Sequence, residues 1–346
     1  MSLVGRFTLL WSALAAGLVA LFGVLSYRGS RAHLLETWQA TLEHDARSAA
    51  VQIQATFDEA ARDALYLAEK PSVHEFVRSA SPAERERWQR LLEADFRALL
   101  AGKPSYFQVR LIGVADEGRE LIRLDNTGGR IDIAPPSRLQ QKGDRDYVRE
   151  GLRLAPGTVY VSDMDLNRDF GRITEPHIPT LRAVAAVRDD AGAVFGVAVV
   201  NVDARPLLSA LGQLTSPGVG LELGNGRDDF LVHRNPQALH GSDLGRPERF
   251  SLDTGNTRRA PFDLDHVAEC RTVDGRGPVL HLRTTAAEEQ VLGGLARARN
   301  RALWMTALAA LAGGALIALS GRWLARRLRV VTEAMESYES GQEVAA

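Results

Sequence analysis

Two uncharged apolar stretches, residues 7–27 and 302–321, lie near opposite ends of the chain and constrain it more than any other feature. Each has the roughly 20 apolar residues with which an α-helix crosses a hydrocarbon core of about 30 Å, so both are expected to be transmembrane helices. A cleaved signal peptide competes for the first stretch. Its apolar run, however, exceeds the ~7–15 residues of a typical signal-peptide core, and a second span follows. A buried core helix competes for the second, but residues 303–320 offer no polar face to water.

Charge flanks set topology only weakly here. Arg6 precedes the first stretch and Arg322, Arg326, Arg327 and Arg329 follow the second, while Arg28, Arg31, Arg297, Arg299 and Arg301 lie on the inner flanks. The count is a tie. A long domain translocates largely regardless of its charge, so the C-terminal arginines decide. Residues 1–6 and 322–346 are expected in the cytoplasm and residues 28–301 outside, as in a two-pass protein of a bacterial inner membrane with its central region in the periplasm.

The central region has the composition of a folded protein. Forty-five per cent of the chain is hydrophobic and 25% charged, and 42 basic residues balance 43 acidic ones, which excludes disorder and gives no nucleic-acid surface. Cys270 is the single cysteine and cannot form an intrachain disulfide; it reads as a strand residue rather than a nucleophile.

Periodicity divides the region. Between residues 28 and 69, Leu34, Leu35, Trp38, Leu42, Ala46, Ala49, Ile53, Phe57, Ala60, Ala64 and Leu67 recur at helical spacing, which predicts one long amphipathic helix. A second helix is expected over 82–100, with Ser81 as its N-cap and Pro82 at its first position. Short segments rich in Val, Ile and Tyr follow at 106–112, 120–124, 158–162, 182–187 and 194–202, separated by Gly, Asn and Asp turn signals. They read as antiparallel strands, with a short helix over 144–154 and a long loop over 163–180. A helix at 205–214 leads to a smaller strand group at 220–224, 230–233, 262–270 and 279–285, and a helix over 288–301 feeds the second apolar stretch. The expected class is therefore α+β: a long N-terminal helix and two antiparallel-sheet modules in series, flanked by transmembrane helices. The boundaries are 28–103 for the helical segment, 104–214 and 215–287 for the modules, and 288–301 for the connecting helix.

Catalytic and metal signatures are missing from the sequence. There is no His-Glu-x-x-His, no Gly-x-Ser-x-Gly and no phosphate loop, so catalytic residues, metal ligands and cofactors are all expected to be absent. His233, His240 and Asp243 match no strong metal spacing, and Asp163 with Asp165 reads as a solvated loop. A binding pocket asks for something else, a concave site with a few convergent polar groups. Arg110, Arg123 and Arg182 lie on predicted strands, where alternation lets a side chain face inward. An inward arginine is costly unless paired and would suit a carboxylate or phosphate. With Tyr147, Tyr160, Asp165 and Asn201, these are the candidate ligand-binding residues.

Three segments resemble a known family. Residues 106–112 (Tyr-Phe-Gln-Val-Arg-Leu-Ile), the loop 159–176 with its Ser162-Asp-Met-Asp-Leu-Asn-Arg-Asp-Phe-Gly171 run, and 179–187 together are similar to double-Cache periplasmic sensors of the LuxQ-like group. Residues 230–236 and 241–245 are similar to the strand and turn of that family's membrane-proximal module. The resemblance spans residues 30–290 and implies two PAS-like modules with a small extracellular ligand in the distal one, anionic on the arginine argument. Arg145-Asp-Tyr147 stands where many amino-acid-binding members carry their aromatic and arginine motif, without the flanking tryptophan.

After the second stretch, Leu324, Leu328, Val331, Met335 and Tyr338 step by 4, 3, 4 and 3, a heptad seam that packs helices in parallel. With Arg326-Arg327 before it, this is similar to the start of a HAMP linker, and implies a parallel homodimer. An output domain would then follow, expected to be a histidine kinase, with a diguanylate cyclase or a chemotaxis signalling domain as alternatives. A membrane-tethered binding protein or enzyme without output is the competing class.

Overall fold

A computed structural model describes residues 3–250, 264–270 and 277–339. In chain order the elements are α1 (Leu3–Ala68), α2 (Pro71–Arg78), α3 (Pro82–Gly102), β1 (Tyr106–Gly113), the single turn α4 (Ala115–Gly118), β2 (Glu120–Thr127), β3 (Arg130–Ile133), α5 (Asp146–Leu152), β4 (Val159–Val161), β5 (Asp165–Leu166), β6 (Arg168–Asp169), β7 (Arg172–Ile173), β8 (Pro179–Arg188), β9 (Val194–Asp203), α6 (Arg205–Gln213), β10 (Gly220–Gly224), β11 (Phe230–Val232), α7 (Gly241–Leu244), β12 (Leu264–Cys270), β13 (Leu280–Ala286) and α8 (Glu288–Glu339). The chain divides into two compact units, Gln39–Ala286 and the two terminal stretches.

The terminal unit is helical. Leu10, Trp11, Leu14, Leu18, Phe22 and Leu25 of α1, and Leu303, Trp304, Leu308 and Leu311 of α8, are exposed. One helix among the described residues is long and apolar enough to cross a membrane, over Thr306–Met335 with a mean hydropathy of 1.5. The expected connecting helix, apolar stretch and heptad seam are continuous in α8; residues 340–346 lie outside the described residues, as do 262 and 263 of the expected 262–270 strand.

The unit Gln39–Ala286 mixes helices with antiparallel sheet. Leu42, Ala46, Ala49, Ile53, Phe57, Ala60, Ala64 and Leu67 are all fully buried, so the α1 stripe read from the sequence is the side that meets the core. Its many alanines let the helix backbone approach closely. Ser81 caps α3 through a reciprocal capping box with Glu84.

Strands β3, β2, β1, β9, β8 and β4 pair in that order, and β5 adds to β8, giving a seven-stranded sheet; β11, β10, β13 and β12 form a second, four-stranded one. Alternation splits the side chains of the larger sheet. Val109, Leu111, Leu124, Leu181, Ala183, Ala185, Ala198 and Val200 join Phe57, Leu67 and Phe96 in the main core, while Ile112, Val184, Val197 and Val199 join Tyr147 and Val148 in a second cluster under α5. Gly151 permits this approach, because a Cβ there would lie 2.4 Å from Val184.

The region 163–180, expected as a long loop, contains β5 and the small hairpin of β6 and β7. Strands this short carry too few residues for a period to show. Helix α2 and strand β3 were likewise not expected, for the same reason of length.

Candidate functional site

The five candidates expected on strands, Arg110, Arg123, Tyr160, Arg182 and Asn201, lie on the sheet face opposite the main core, and the register explains how. Gln108 pairs with Asp125 on one side and Asn201 on the other, Asn201 pairs with Arg182, and Arg110 pairs with Arg123. A polar row thus crosses four strands, β2, β1, β9 and β8, with its arginines and amides buried.

The row is extensively hydrogen-bonded, with the buried Nε of Arg110 left without a partner. Arg110 donates to the Tyr147 hydroxyl (3.0 Å), to Glu120 (3.2 Å) and to Asn201 Oδ1 (2.9 Å). Asn201 donates to Gln108 (3.0 Å), and Gln108 to Asp125 (2.6 Å). Arg123 then donates to both Asp125 (3.0 Å) and Asp169 (3.0 Å). Arg182 donates to Asp165 at 2.5 Å, and its guanidinium lies 5.2 Å from the centre of the Tyr147 ring, with Arg110 at 5.4 Å from the same ring. Such contacts are favourable cation–π geometry. Each of the three arginines therefore already holds a carboxylate.

Burial shapes the electrostatics. Burial works against the charged form of Asp169, but hydrogen bonds from Arg123 and Gln140 outweigh it and hold the carboxyl below its ordinary range. Lys142 has the opposite balance: desolvation, then the charge of Arg110, lowers its ammonium to about 8, although it donates to Gln140 at 2.8 Å.

Four of the candidates, Tyr147, Tyr160, Asp165 and Arg182, line a cleft of about 350 Å³ beside this row. Arg110, Arg123 and Asn201 do not line it; they form the network behind it. The cleft also contains Asp144, Arg145, Asp146, Ser162, Asp163, Arg168, Arg227 and Asp243. Asp163 is drawn into it rather than solvated, and burial, ahead of the opposing pull of Arg227, pushes its carboxyl up. Burial likewise raises the Tyr160 hydroxyl, helped by Asp163.

Two of the side chains that sequence reasoning missed come from the four-stranded sheet's segment of the chain. Asp243 accepts from Leu166 N (2.8 Å) and Arg168 (3.0 Å) across the cleft rim. Arg227 sits in the β10–β11 turn. An Asn-Gly pair such as Asn225-Gly226 favours a hairpin turn, but nothing local says what the turn touches. A larger cavity of about 630 Å³ lies at α4, lined by Val114, Glu117, Gly118, Gln141, Gly143, Asp144 and Leu152, with no arginine or lysine. Among the described residues no three His, Cys, Asp or Glu side chains converge as metal ligands.

Solved structures share this fold at low identity. The extracellular domain of a protein described as a histidine kinase, vpHK1S-Z8, superposes with a TM-score of 0.59 at 18% identity, covering 80% of this chain and 99% of that one. A domain of a sensory box/GGDEF family protein from Vibrio parahaemolyticus gives 0.56 at 18% identity, covering 75% and 98%. The ligand-binding domain of the Campylobacter jejuni chemoreceptor Tlp3, in complex with L-norvaline, gives 0.51 at 11% identity, covering 75% and 94%. No curated protein sequence matches the chain. The family model of the bacterial histidine kinase sensor domain matches residues 61–258, more than half of the chain, and the protein belongs to that family of sensor domains.

Proposed function

We propose that this is the sensing region of a two-pass bacterial membrane receptor, and that its cleft on the seven-stranded sheet binds a small polar extracellular molecule. The observation that carries the reading is the cleft itself: a concave site of about 350 Å³ whose floor is Tyr147 with the Arg182 guanidinium over its ring and whose backing is a buried, extensively hydrogen-bonded row. Polar groups held this firmly are preorganised to orient a ligand. The Tlp3 domain, with L-norvaline bound, has a related fold and supports a ligand of that size.

The rest of the arrangement follows. Residues 7–27 and 302–321 span the membrane, residues 104–214 and 215–287 are PAS-like distal and proximal modules in the periplasm, and the exposed leucines and tryptophans of the terminal helices face lipid. A parallel homodimer then carries the change through a HAMP-like coil to an output domain. Membership of the histidine kinase sensor family favours a kinase there over a cyclase or chemotaxis output. Ligand shifts the output only through its different affinity for two conformations.

A thermal-shift screen of the full chain in lipid nanodiscs, against a library of small polar metabolites, tests the reading. A ligand at a hundred times its Kd stabilises the folded state by about 2.7 kcal/mol. At least one compound should raise the melting temperature of the wild type and not of Tyr160→Ala. Equal shifts in both proteins for every active compound would contradict the site.

A further inference from the structure

The cleft wall formed by residues 162–168 is held from two directions. Behind it stands β8, which pairs with β5. In front, Asn225 is almost fully buried and donates to the Met164 carbonyl (3.2 Å), while its Oδ1 accepts from Arg227 N (3.0 Å) and Asp229 N (2.9 Å). One side chain thus folds the β10–β11 turn and fastens it to the wall. Asp243 makes a second fastening through Leu166 and Arg168.

Four arginines line the cleft, but they are not equivalent. Arg182 is committed to Asp165 and Arg168 to Asp243. An incoming anion that took either would strand a carboxylate in a largely desolvated place, which is strongly unfavourable. Arg145, the N-cap residue of α5, and Arg227 have no ion pair within 4.0 Å among the described residues. They can accept an anion without breaking an ion pair, although Arg227 also attracts the Asp163 carboxylate nearby.

Resting on the reading of the cleft as the ligand site, we propose that the ligand carries a carboxylate or phosphate group, and that Arg227 of the four-stranded sheet's turn and Arg145 of α5 hold it. The ligand then bridges the two sheets directly. Arg227 is a specificity-determining residue supplied from outside the larger sheet, and Arg182 with Tyr147 forms the surface against which the rest of the molecule packs. Because Asn225 and Asp243 anchor the same turn and wall, occupancy of the cleft is felt by β10 and β11 with no intervening element.

Isothermal titration calorimetry of the full chain in nanodiscs tests this with succinate, citrate and inorganic phosphate as probes and ethanolamine as a cationic comparison. At least one of the three anions should bind the wild type, with phosphate against the carboxylates separating the two sources of charge. Arg227→Gln and Arg145→Gln should each weaken that binding by about tenfold or more, the loss of one hydrogen bond to a charged group. Arg90→Gln, on the exposed face of α3, should leave it unchanged. Binding lost in Tyr160→Ala but unaffected in Arg227→Gln would keep the cleft and overturn the bridge. Binding unaffected in both would overturn the cleft as well. No anion binding, with ethanolamine bound and sensitive to Tyr160→Ala, would keep the cleft and overturn the anionic class. No binding by any probe would overturn the proposal.

Discussion

The two sheets of the Gln39–Ala286 unit send one set of side chains into the same apolar core and differ almost entirely on the other face. Val109, Leu111, Ala183 and Val200 of the larger sheet meet that core together with Leu223, Leu231, Leu280 and Leu282 of the smaller. On its other face the seven-stranded sheet carries a buried row of arginines, carboxylates and amides. The four-stranded sheet carries instead a small cluster of Phe230, Ala238 and Phe250, with Arg283 lying 5.0 Å over the Phe250 ring. Burying charge costs more than burying methyl groups unless every charge is paired. Among the described residues the smaller sheet holds the partly exposed Glu222–Arg283 pair but no comparable buried row, so the polar layer is concentrated on the larger sheet, and the cleft lies beside it.

The same substitution in both sheets gives the largest test of this contrast. Glu120 is fully buried and accepts from Arg110 and from Gln140 N (3.0 Å). Glu120→Gln leaves Arg110 buried without its carboxylate and should destabilise the fold by about 3–5 kcal/mol in chemical denaturation. Asp243→Ala comes next: it removes the acceptor for Leu166 N and Arg168 and should cost about 2 kcal/mol, while also weakening binding of any ligand in the cleft.

Lys142 should give a smaller effect of opposite sign. Its ammonium is disfavoured in the folded chain, at about 8 against an ordinary 10.5, so the unfolded chain binds the proton more tightly and stability rises with pH between those values. Lys142→Met should remove that rise and, after the lost bond to Gln140 is offset, stabilise the protein at pH 7 by about 1 kcal/mol. The smallest effect is expected from Glu222→Gln in the four-stranded sheet. Glu222 pairs with Arg283 at 3.2 Å but is partly exposed, and its neutralisation should cost below about 1 kcal/mol. Equal costs at Glu120 and Glu222 would erase the contrast between the sheets.

Much of this layer is legible in the amino-acid sequence. The period of α1 names the residues that pack, because a helix buries one stripe. The alternation of strands puts Arg110, Arg123, Arg182, Tyr160 and Asn201 on a common face, because register in a run of β-residues follows the pattern of what must be buried. Their partners are not legible. Glu120, Asp125 and Asp169 look like any surface carboxylates in the sequence, and only register and the β6–β7 hairpin bring them to the arginines. The expectation that Arg110 or Arg182 waits for a ligand changes accordingly, since both are occupied within the protein. Arg227 and Asp243 are further out of reach. They are separated from Arg182 by dozens of residues and another sheet, and turn chemistry specifies how a hairpin closes without specifying what it leans on.

In the proposed arrangement, ligand binds on the polar face of the seven-stranded sheet and against the β10–β11 turn. Hydrogen–deuterium exchange of the full chain in nanodiscs, with and without the tightest-binding compound from the screen, addresses it directly. Ligand should slow exchange in residues 144–147, 160–168 and 225–228 together. Slowing confined to residues 114–118 and 141–143 around the α4 cavity, or to residues 230–232 and 280–286 of the smaller sheet, would contradict it.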